Sequence, residues 1–291
     1  MTELSRRVVS TDDVTLAVHE SGRADGPVVV AVHGYPDNHH VWDGVAARLA
    51  DQFRFVAYDV RGAGDSDKPR PVSAYRMPHL VDDLVAVIDA VSPERPVHLV
   101  AHDWGSIQCW PALTDPRLAG RVAGYTSISG PSIDHAGAWL RQARQHPRAS
   151  ARQLAHSTYI ALFQLPALPE LAIKAGLFER ALEPASYRTR PDELNGLKLY
   201  RANMLARATR PRPARITVPV HLVVLEQDAF VTPELAVGAA QPWVAELSVH
   251  RLPAGHWAVS SQPEAIAGLV REFAAQVGRP SSNSVPSNVS T

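Results

Sequence analysis

The sequence predicts an α/β protein in which a mostly parallel, doubly wound sheet is interrupted by an inserted helical segment. Two observations predict the sheet. Short apolar runs alternate with amphipathic helical stretches over residues 1–131, and strand character resumes after residue 212. A third observation predicts the insertion, since residues 132–212 lack strand-like alternation and carry apolar residues at helical spacing, broken by prolines.

The apolar runs are the predicted strands. Val28–Val32 is apolar throughout, which is typical of a strand buried on both faces of a sheet. The other predicted strands are residues 53–60, 97–101, 122–129, 218–225 and 247–252. Amphipathic helices are predicted over residues 78–91 and at the end of the fold, where the spaced apolar residues are Ile266, Leu269, Val270, Phe273 and Val277.

These patterns divide the chain into a core and an insertion. We expect the core to comprise residues 1–131 and 213–278, and the helical cap, called here the cap segment, to comprise residues 132–212. Residues 279–291 are rich in Ser, Asn and Pro, a composition that buries little apolar surface and predicts a disordered tail.

Composition points to a small-molecule protein. The 29 basic and 29 acidic residues cancel, so the whole chain offers no electrostatic case for nucleic acid or for an anionic membrane surface. Cys109 is the only cysteine, which excludes an internal disulfide and a structural zinc site of several cysteines. The sequence has neither a secretory signal pattern nor an apolar run of membrane-spanning length, and we predict a soluble, cytoplasmic protein.

The central chemical motif is Ala101-His102-Asp103-Trp104-Gly105, which follows a predicted buried strand and opens a helix. Small residues two before and two after a nucleophile are required by the tight turn from strand to helix. Asp103 occupies the nucleophile position. The alternatives are that Asp103 only caps the following helix, or that Ser106 is the nucleophile, although Gln108 then occupies a position that needs a small residue.

Two further residues complete a catalytic triad in chain order. Asp228 follows the strand-like run 222–225, and His256 lies in a loop before the terminal helix. The order nucleophile, acid, histidine is the one expected for this arrangement. The alternatives are a loop aspartate that stabilises a local turn and a surface histidine.

A fourth motif, His33-Gly34-Tyr35-Pro36, directly follows the strand Val28–Val32. A turn that contains glycine at this place can point a backbone N–H into the site. We expect the amides of Tyr35 and Trp104 to form an oxyanion hole, the alternative being an ordinary β-to-α turn. The nearby His39 and His40 lack a third ligand in the sequence pattern, so no metal site is predicted.

With these motifs, and with Asp59–Ser66, the sequence resembles the α/β-hydrolase-fold epoxide hydrolases. The resemblance extends over nearly all of residues 6–277 and includes the cap segment. There Tyr159 precedes Phe163-Gln164-Leu165-Pro166, and Tyr200 lies in Tyr200-Arg201-Ala202-Asn203, similar to the family's two tyrosine motifs. A closer resemblance, through Trp42–Val45, Ser73–Tyr75 and Ser129–His135, is to mycobacterial members in which a short-chain dehydrogenase domain follows the hydrolase. Here a polar tail follows instead, so the chain is either a stand-alone relative or a fragment.

The resemblance implies that Asp103 attacks an epoxide carbon to form a hydroxyalkyl ester, and an aspartate suits this role because it is already ionised at neutral pH. It implies that Tyr159 and Tyr200 stabilise the departing oxygen, with packing at the cap interface as the alternative. His256, oriented by Asp228, would activate the water that hydrolyses the ester. We predict no cofactor. The expected substrate-binding residues are His33, Pro36, Trp104, Phe163 and Trp257.

Two other functions remain open. Haloalkane dehalogenases share an aspartate nucleophile, but they require donors for a halide where Tyr35 stands here. A non-catalytic binding protein of the same fold would usually have lost a triad residue. The substrate is expected to be a small-molecule or lipid-like epoxide, the latter only by analogy. The oligomeric state, with a homodimer among the options, is left undetermined.

Overall fold

A computed structural model describes residues 5–11, 14–178, 182 and 185–278, and it places eight strands in one sheet. The strands are β1 Ser5–Thr11, β2 Val14–Gly22, β3 Val28–Val32, β4 Arg54–Tyr58, β5 Val97–His102, β6 Val122–Ile128, β7 Val220–Leu225 and β8 Leu247–Leu252. Across the sheet they follow the order β1-β2-β4-β3-β5-β6-β7-β8. The first two strands pair antiparallel, as do β2 and β4, and all other neighbours are parallel.

The prediction of a mostly parallel α/β fold is confirmed, and each of the six predicted strands is present with ends that differ by at most a few residues. The sequence pattern missed β1 and β2. These strands form the antiparallel edge of the sheet, and β2 is followed by a polar stretch around Arg23–Asp25 where the buried parallel strands have helices. Their mixture of charged and apolar residues does not match the continuous apolar runs of the central strands.

Eleven helices are described, together with three short 3-10 turns at His39–Trp42, Val72–Tyr75 and Pro116–Leu118. The helices of the core are α1 Asp43–Leu49, α2 Met77–Val91, α3 Trp104–Ala112, α9 Pro233–Ala240, α10 Ala258–Ser261 and α11 Pro263–Val277. The helices of the cap segment are α4 Ile133–Arg141, α5 Pro147–His156, α6 Thr158–Gln164, α7 Leu168–Lys174 and α8 Arg190–Thr209.

The sheet is covered on both faces. Because successive side chains of a strand point to opposite faces, Val30 and Val32 of β3 pack against α2 and α3, whereas Val29 and Ala31 pack against α1 and α11. All of these side chains are fully buried. This two-sided burial explains why the central strands read as uninterrupted apolar runs.

The cap segment lies between β6 and β7 and, among its described residues, contains helices but no strand. A third apolar cluster joins Phe163, Leu197 and Tyr200 of this segment to Tyr35 and Trp104 of the core. The boundaries at residues 132 and 212 stay a prediction, and the tail 279–291 lies outside the described residues. In the described part of the chain, none of the helices combines the length and the apolar character that crossing a bilayer would require.

Candidate active site

Asp103 occupies the sharp turn between β5 and α3, with φ of 50° and ψ of −122°. A non-glycine residue at positive φ is strained, and such strain persists where the surrounding structure holds it in place. Close packing holds it here: a Cβ on Gly105 would lie 2.2 Å from the carbonyl oxygen of Val32. The small residue predicted after the nucleophile is therefore required by the contact between this turn and β3.

The Asp103 carboxylate points into the site and does not cap the helix. Its Oδ1 accepts a hydrogen bond from the backbone N–H of Tyr35 at 2.7 Å, and its side chain makes no capping bond to α3. Burial raises the pKa of Asp103 to about 6, although the positive charge of His256 and the amides of Tyr35 and Trp104 act in the opposite direction. The carboxylate is therefore ionised at neutral pH but poorly solvated, which favours reactivity.

His256 lies between two carboxylates. Its Nδ1 is 3.2 Å from both oxygens of Asp228, and its Nε2 is 3.7 Å from Oδ2 of Asp103. Only 3% of His256 is exposed, so it is not a surface histidine. Burial lowers the pKa of His256, but the charge and hydrogen bonds of Asp228 outweigh this effect and the net pKa is raised. The distance of 3.7 Å leaves Nε2 without a direct hydrogen bond to Asp103 and free to meet a water.

Asp228 is held from three directions. Its Oδ1 accepts from the backbone N–H groups of Phe230 at 2.8 Å and Val231 at 3.1 Å, so it stabilises the local turn as well as orienting the histidine. Burial raises the pKa of Asp228, and the charge and hydrogen bond of His256 together with the Ser129 hydroxyl lower it by more. Asp228 is consequently an anion that fixes the orientation of the imidazole.

Ser129 is a site residue that the sequence analysis did not identify. It has a positive φ of 48° at the end of β6, and its hydroxyl donates to Oδ2 of Asp228 and lies 2.9 Å from Nδ1 of His256. A signal was present in the Ser129-Gly130-Pro131 stretch that follows a predicted strand. A serine among turn residues is too common to be assigned to the site without the structure.

The alternative nucleophile Ser106 is buried away from the cavities. Its hydroxyl lies within hydrogen-bonding distance of Tyr125 Oη, Ser127 Oγ and the carbonyl oxygen of Gly130, at 2.6, 2.7 and 2.7 Å. These three contacts satisfy the hydrogen-bonding capacity of the hydroxyl. Ser106 therefore supports the packing of α3 on the sheet.

Two cavities meet at Asp103. The larger, about 570 Å³, extends between α3, α4 and α6, and the smaller, about 240 Å³, extends between α6 and the loop that carries His256. Asp103, Tyr159, Tyr200 and Phe230 line both. The four shared residues define the place where a substrate in either cavity would meet the carboxylate.

Tyr159 and Tyr200 descend from the cap segment onto this junction. Their ring centroids are 5.9 Å apart, and the Tyr200 ring packs edge-on against Trp104 with centroids 4.9 Å apart. Burial raises the pKa of both phenols above the ordinary value, which keeps them protonated and able to donate. The predicted packing role and the predicted donor role are thus compatible in the same two residues.

Four of the five expected substrate-binding residues line a cavity. Trp104 lines the larger one, and Pro36, Phe163 and Trp257 line the smaller one. The expectation for His33 is wrong. This side chain is fully buried and lines neither cavity, because Nδ1 lies 2.9 Å from the carbonyl oxygen of Gly34 and Nε2 accepts from the N–H of Val60 at 3.0 Å. His33 therefore shapes the turn that presents the Tyr35 amide.

A buried polar cluster that was not predicted from the sequence lies beside the smaller cavity. Asp37 accepts from Nε1 of Trp257 at 3.0 Å and forms an ion pair with Arg188 at 2.6 Å. The Arg188 guanidinium stacks over the Trp257 ring at 4.6 Å from its centroid. Because Arg188 belongs to the cap segment and the other two to the core, this cluster fastens the two parts together next to the site.

One group of described residues has the spacing of metal ligands. The ligand atoms of His19, His39 and Asp59 all lie within 4.8 Å of one another. Asp59 already accepts from the backbone N–H of His39 and of Asp65, each at 2.8 Å, and from Nδ1 of His39. The group lines neither cavity, so it offers nothing to the chemistry at Asp103, and the expectation of no metal stays a prediction.

Comparison with known proteins agrees with this architecture. Residues 27–263 match the model of the alpha/beta hydrolase fold family. The chain is 38% identical to the probable oxidoreductase EphD of Mycobacterium tuberculosis, an alignment that covers 96% of this chain and 53% of that protein. It therefore spans about half the length of the EphD relatives that it matches.

Two further similarities each cover most of both proteins. Epoxide hydrolase 3 of Xenopus tropicalis is 28% identical over 87% of this chain and 72% of its own length. The structure of an epoxide hydrolase of Bacillus megaterium in complex with an inhibitor superposes with a TM-score of 0.73 at 24% identity, and covers 92% of this chain and all of the other. The extent of the family match, together with the elbow at Asp103, leads to one conclusion: the chain belongs to the alpha/beta hydrolase fold family.

Proposed function

We propose that this protein hydrolyses epoxides to vicinal diols through a covalent ester on Asp103. One observation carries the proposal: a buried carboxylate and two protonated phenols line the same cavity junction, with a histidine–aspartate pair behind the carboxylate. An epoxide needs an anionic nucleophile at carbon and an acid at oxygen, and this arrangement supplies both.

In the first half-reaction, Asp103 attacks a ring carbon with Oδ2. Its other oxygen, Oδ1, is held by the Tyr35 amide, which leaves Oδ2 as the free nucleophile. The C–O bond of the epoxide breaks, and the departing oxygen takes a proton from Tyr159 or Tyr200. A hydroxyalkyl ester and a phenolate result, and no charge is left on the substrate oxygen.

In the second half-reaction, His256 takes a proton from a water that adds to the Cγ of the ester. The tetrahedral oxyanion develops on Oδ1, where the amides of Tyr35 and Trp104 stabilise it; removal of one such donor typically costs about 3 kcal/mol. Collapse releases the alcohol oxygen, which takes the proton from His256. The proton left on the Asp103 carboxyl group returns to the tyrosine, so the sum is epoxide plus water to diol.

The relatives support the choice of substrate class. Proteins named as epoxide hydrolases match this chain over most of its length, and the two cap tyrosines suit an oxygen leaving group. The halide that leaves a haloalkane needs N–H donors and no acid, so Tyr159 and Tyr200 would have no catalytic role in that reaction. A binding protein would not require the ordered contacts among Asp103, His256 and Asp228. The cytoplasmic location remains our prediction.

The test is a single turnover in water enriched in the heavy oxygen isotope, with a panel of epoxides and haloalkanes and with enzyme in excess over substrate. We expect unlabelled diol in the first turnover and label in the Asp103 carboxylate, recovered by peptide mass spectrometry. Diol that carries the label in full at the first turnover would mean that water attacks the substrate directly, and the ester mechanism would be abandoned. Turnover of haloalkanes alone would assign the dehalogenase function instead.

A further inference from the structure

The cap segment carries most of the chain's exposed apolar side chains. Among the described residues, nine large hydrophobic side chains are exposed, and only Val72 and Val249 belong to the core. The other seven are leucines of the cap segment: Leu154, Leu162, Leu165, Leu168, Leu171, Leu177 and Leu205. Single exposed leucines are ordinary, but a concentration of this kind on one part of a molecule marks an interaction surface.

Three of these leucines lie at the openings of the active-site cavities. Leu154 and Leu205 are 57% and 66% exposed, and both line the larger cavity. Leu162 is 43% exposed and lines the smaller one. A side chain that is exposed and also lines a cavity must lie at its mouth. The apolar outer surface is therefore continuous with the interior that leads to Asp103.

The charges of the chain are segregated between the same two regions. The cap segment has thirteen basic and six acidic residues, a net charge of +7, whereas the remainder has sixteen basic and twenty-three acidic residues, a net charge of −7. The balance of the whole chain conceals this division. In α5, Arg148 and Arg152 lie one turn apart and are exposed, and Arg144, three residues before the helix, is also exposed.

We propose that the cap segment docks on an anionic phospholipid surface and admits apolar substrates from it. A basic surface with projecting leucines matches such a bilayer in both respects, since the headgroups attract the arginines and the leucines enter the boundary of the acyl chains. The site then opens toward lipid, and an apolar epoxide reaches Asp103 without crossing water. Each basic residue near an anionic surface strengthens binding about five-fold.

A protein partner fits these observations less well. Protein interfaces depend on a few aromatic or arginine anchors in closely packed pockets. In the described part of the cap segment the exposed large apolar residues are all leucines, and they are distributed over α5, α6, α7, α8 and the neighbouring loops, with three of them at the openings of the two cavities. A lipid surface requires no matching pocket, so this distribution favours it.

The test is flotation of the purified full chain with two kinds of vesicle, pure phosphatidylcholine and an equal mixture of phosphatidylcholine and phosphatidylglycerol. We expect strong binding to the mixed vesicles at low salt, weak binding to the neutral ones, and loss of binding as salt rises. Two variants should each reduce binding at least about ten-fold: Arg144→Glu with Arg148→Glu, and Leu165→Gln with Leu168→Gln and Leu171→Gln.

Two control variants carry the same kinds of substitution on the core, so that effects of folding and of total charge can be separated from effects of the cap segment. Arg70→Glu with Arg95→Glu changes the total charge equally on the core, and Val72→Gln with Val249→Gln removes the exposed hydrophobics of the core. We expect both to bind like the original chain. Equal loss in the controls, equal binding to both kinds of vesicle, or capture of an acidic acyl-carrier protein in the absence of any vesicle binding would overturn the proposal.

A second measurement links docking to substrate access. The triple leucine variant should hydrolyse a small water-miscible epoxide at the original rate, because none of its three residues lines either of the two cavities at Asp103. It should hydrolyse a vesicle-embedded long-chain epoxide at least about ten-fold more slowly. Equal rates on the embedded epoxide would reject substrate entry from the bilayer. Flotation needs no catalysis, so a failure of epoxide hydrolysis would leave the docking result intact.

Discussion

The core and the cap segment use their apolar side chains in opposite ways. In the core, alternate residues of β3 face two buried clusters, and nearly all large apolar side chains are covered. In the cap segment, seven described leucines remain exposed, and the helices are short apart from α8. The difference teaches that burial inside the molecule constrains the sequence of the core. The exposed leucines of the cap segment are not explained by burial, and we attribute them to the proposed contact with a phospholipid surface.

The cap segment is itself divided. Its second half is fastened to the core by buried polar contacts: Arg188 pairs with Asp37, the carbonyl of Glu193 accepts from the Tyr35 hydroxyl at 2.9 Å, and Asn203 accepts from the N–H of Met77 at 2.8 Å. Its first half, α5 to α7, carries most of the exposed leucines. The second half therefore holds Tyr200 over the site, whereas the first half carries Tyr159 of α6 together with the exposed leucines.

The largest effect that would test this comparison is the loss of the cap tyrosines. In a variant with Tyr159→Phe and Tyr200→Phe, we expect ester formation on Asp103 to slow by about 10²- to 10⁴-fold, because no acid remains for the departing oxygen. Single-turnover quench experiments measure this step directly. The control is Tyr187→Phe, a cap tyrosine that lines neither cavity. An unchanged rate in the double variant would assign the chemistry to the core alone.

A smaller effect concerns the ion pair between Arg188 and Asp37, which connects the cap segment to the core. Arg188→Met leaves Asp37 charged, almost fully buried and without its ion-pair partner. We expect the free energy of unfolding to fall by about 3–5 kcal/mol, measured by denaturant titration. The double variant Arg188→Met with Asp37→Asn should recover most of the loss, since the stranded charge is gone. If the single variant were as stable as the original chain, this cluster would not be what holds the cap segment in place.

The sequence was sufficient for the parts of the molecule that obey a local rule. The strand Val28–Val32 and the turn at Asp103 are dictated by burial on two faces and by the size limit at Gly105, and both follow from neighbouring residues. The edge strands β1 and β2 were missed because edge positions tolerate mixed composition. Ser129 was missed because its role depends on Asp228 and His256, which are distant in the chain.

The same distinction explains the error about His33. His33 lies next to the site in sequence, but both of its ring nitrogens are used by backbone groups inside the core. Proximity in the chain does not give direction in space. A total net charge has a similar limit, since a sum of zero over 291 residues contains a positive cap segment and a negative remainder. A region-by-region count would have revealed this without coordinates.

The smallest effect tests whether the burial of ionised Asp103 lowers the stability of the core. The pKa of Asp103 is raised from 3.8 to about 6, so its contribution to stability is present below about pH 4 and is lost as pH rises through 6. We therefore expect Asp103→Asn to be inactive but more stable than the original chain by about 3 kcal/mol at pH 8, with the gain shrinking toward pH 4.

Asp228 has a lowered pKa and provides the opposite case, because its contribution is present at high pH and lost on acidification. Asp228→Asn should accordingly destabilise the protein by a constant amount above about pH 4 and by less below it, as measured by urea unfolding across the range. Parallel behaviour of the two variants would mean that burial of Asp103 is not what sets its reactivity, whereas opposite slopes would show that two aspartates 125 positions apart are tuned in opposite directions around one imidazole.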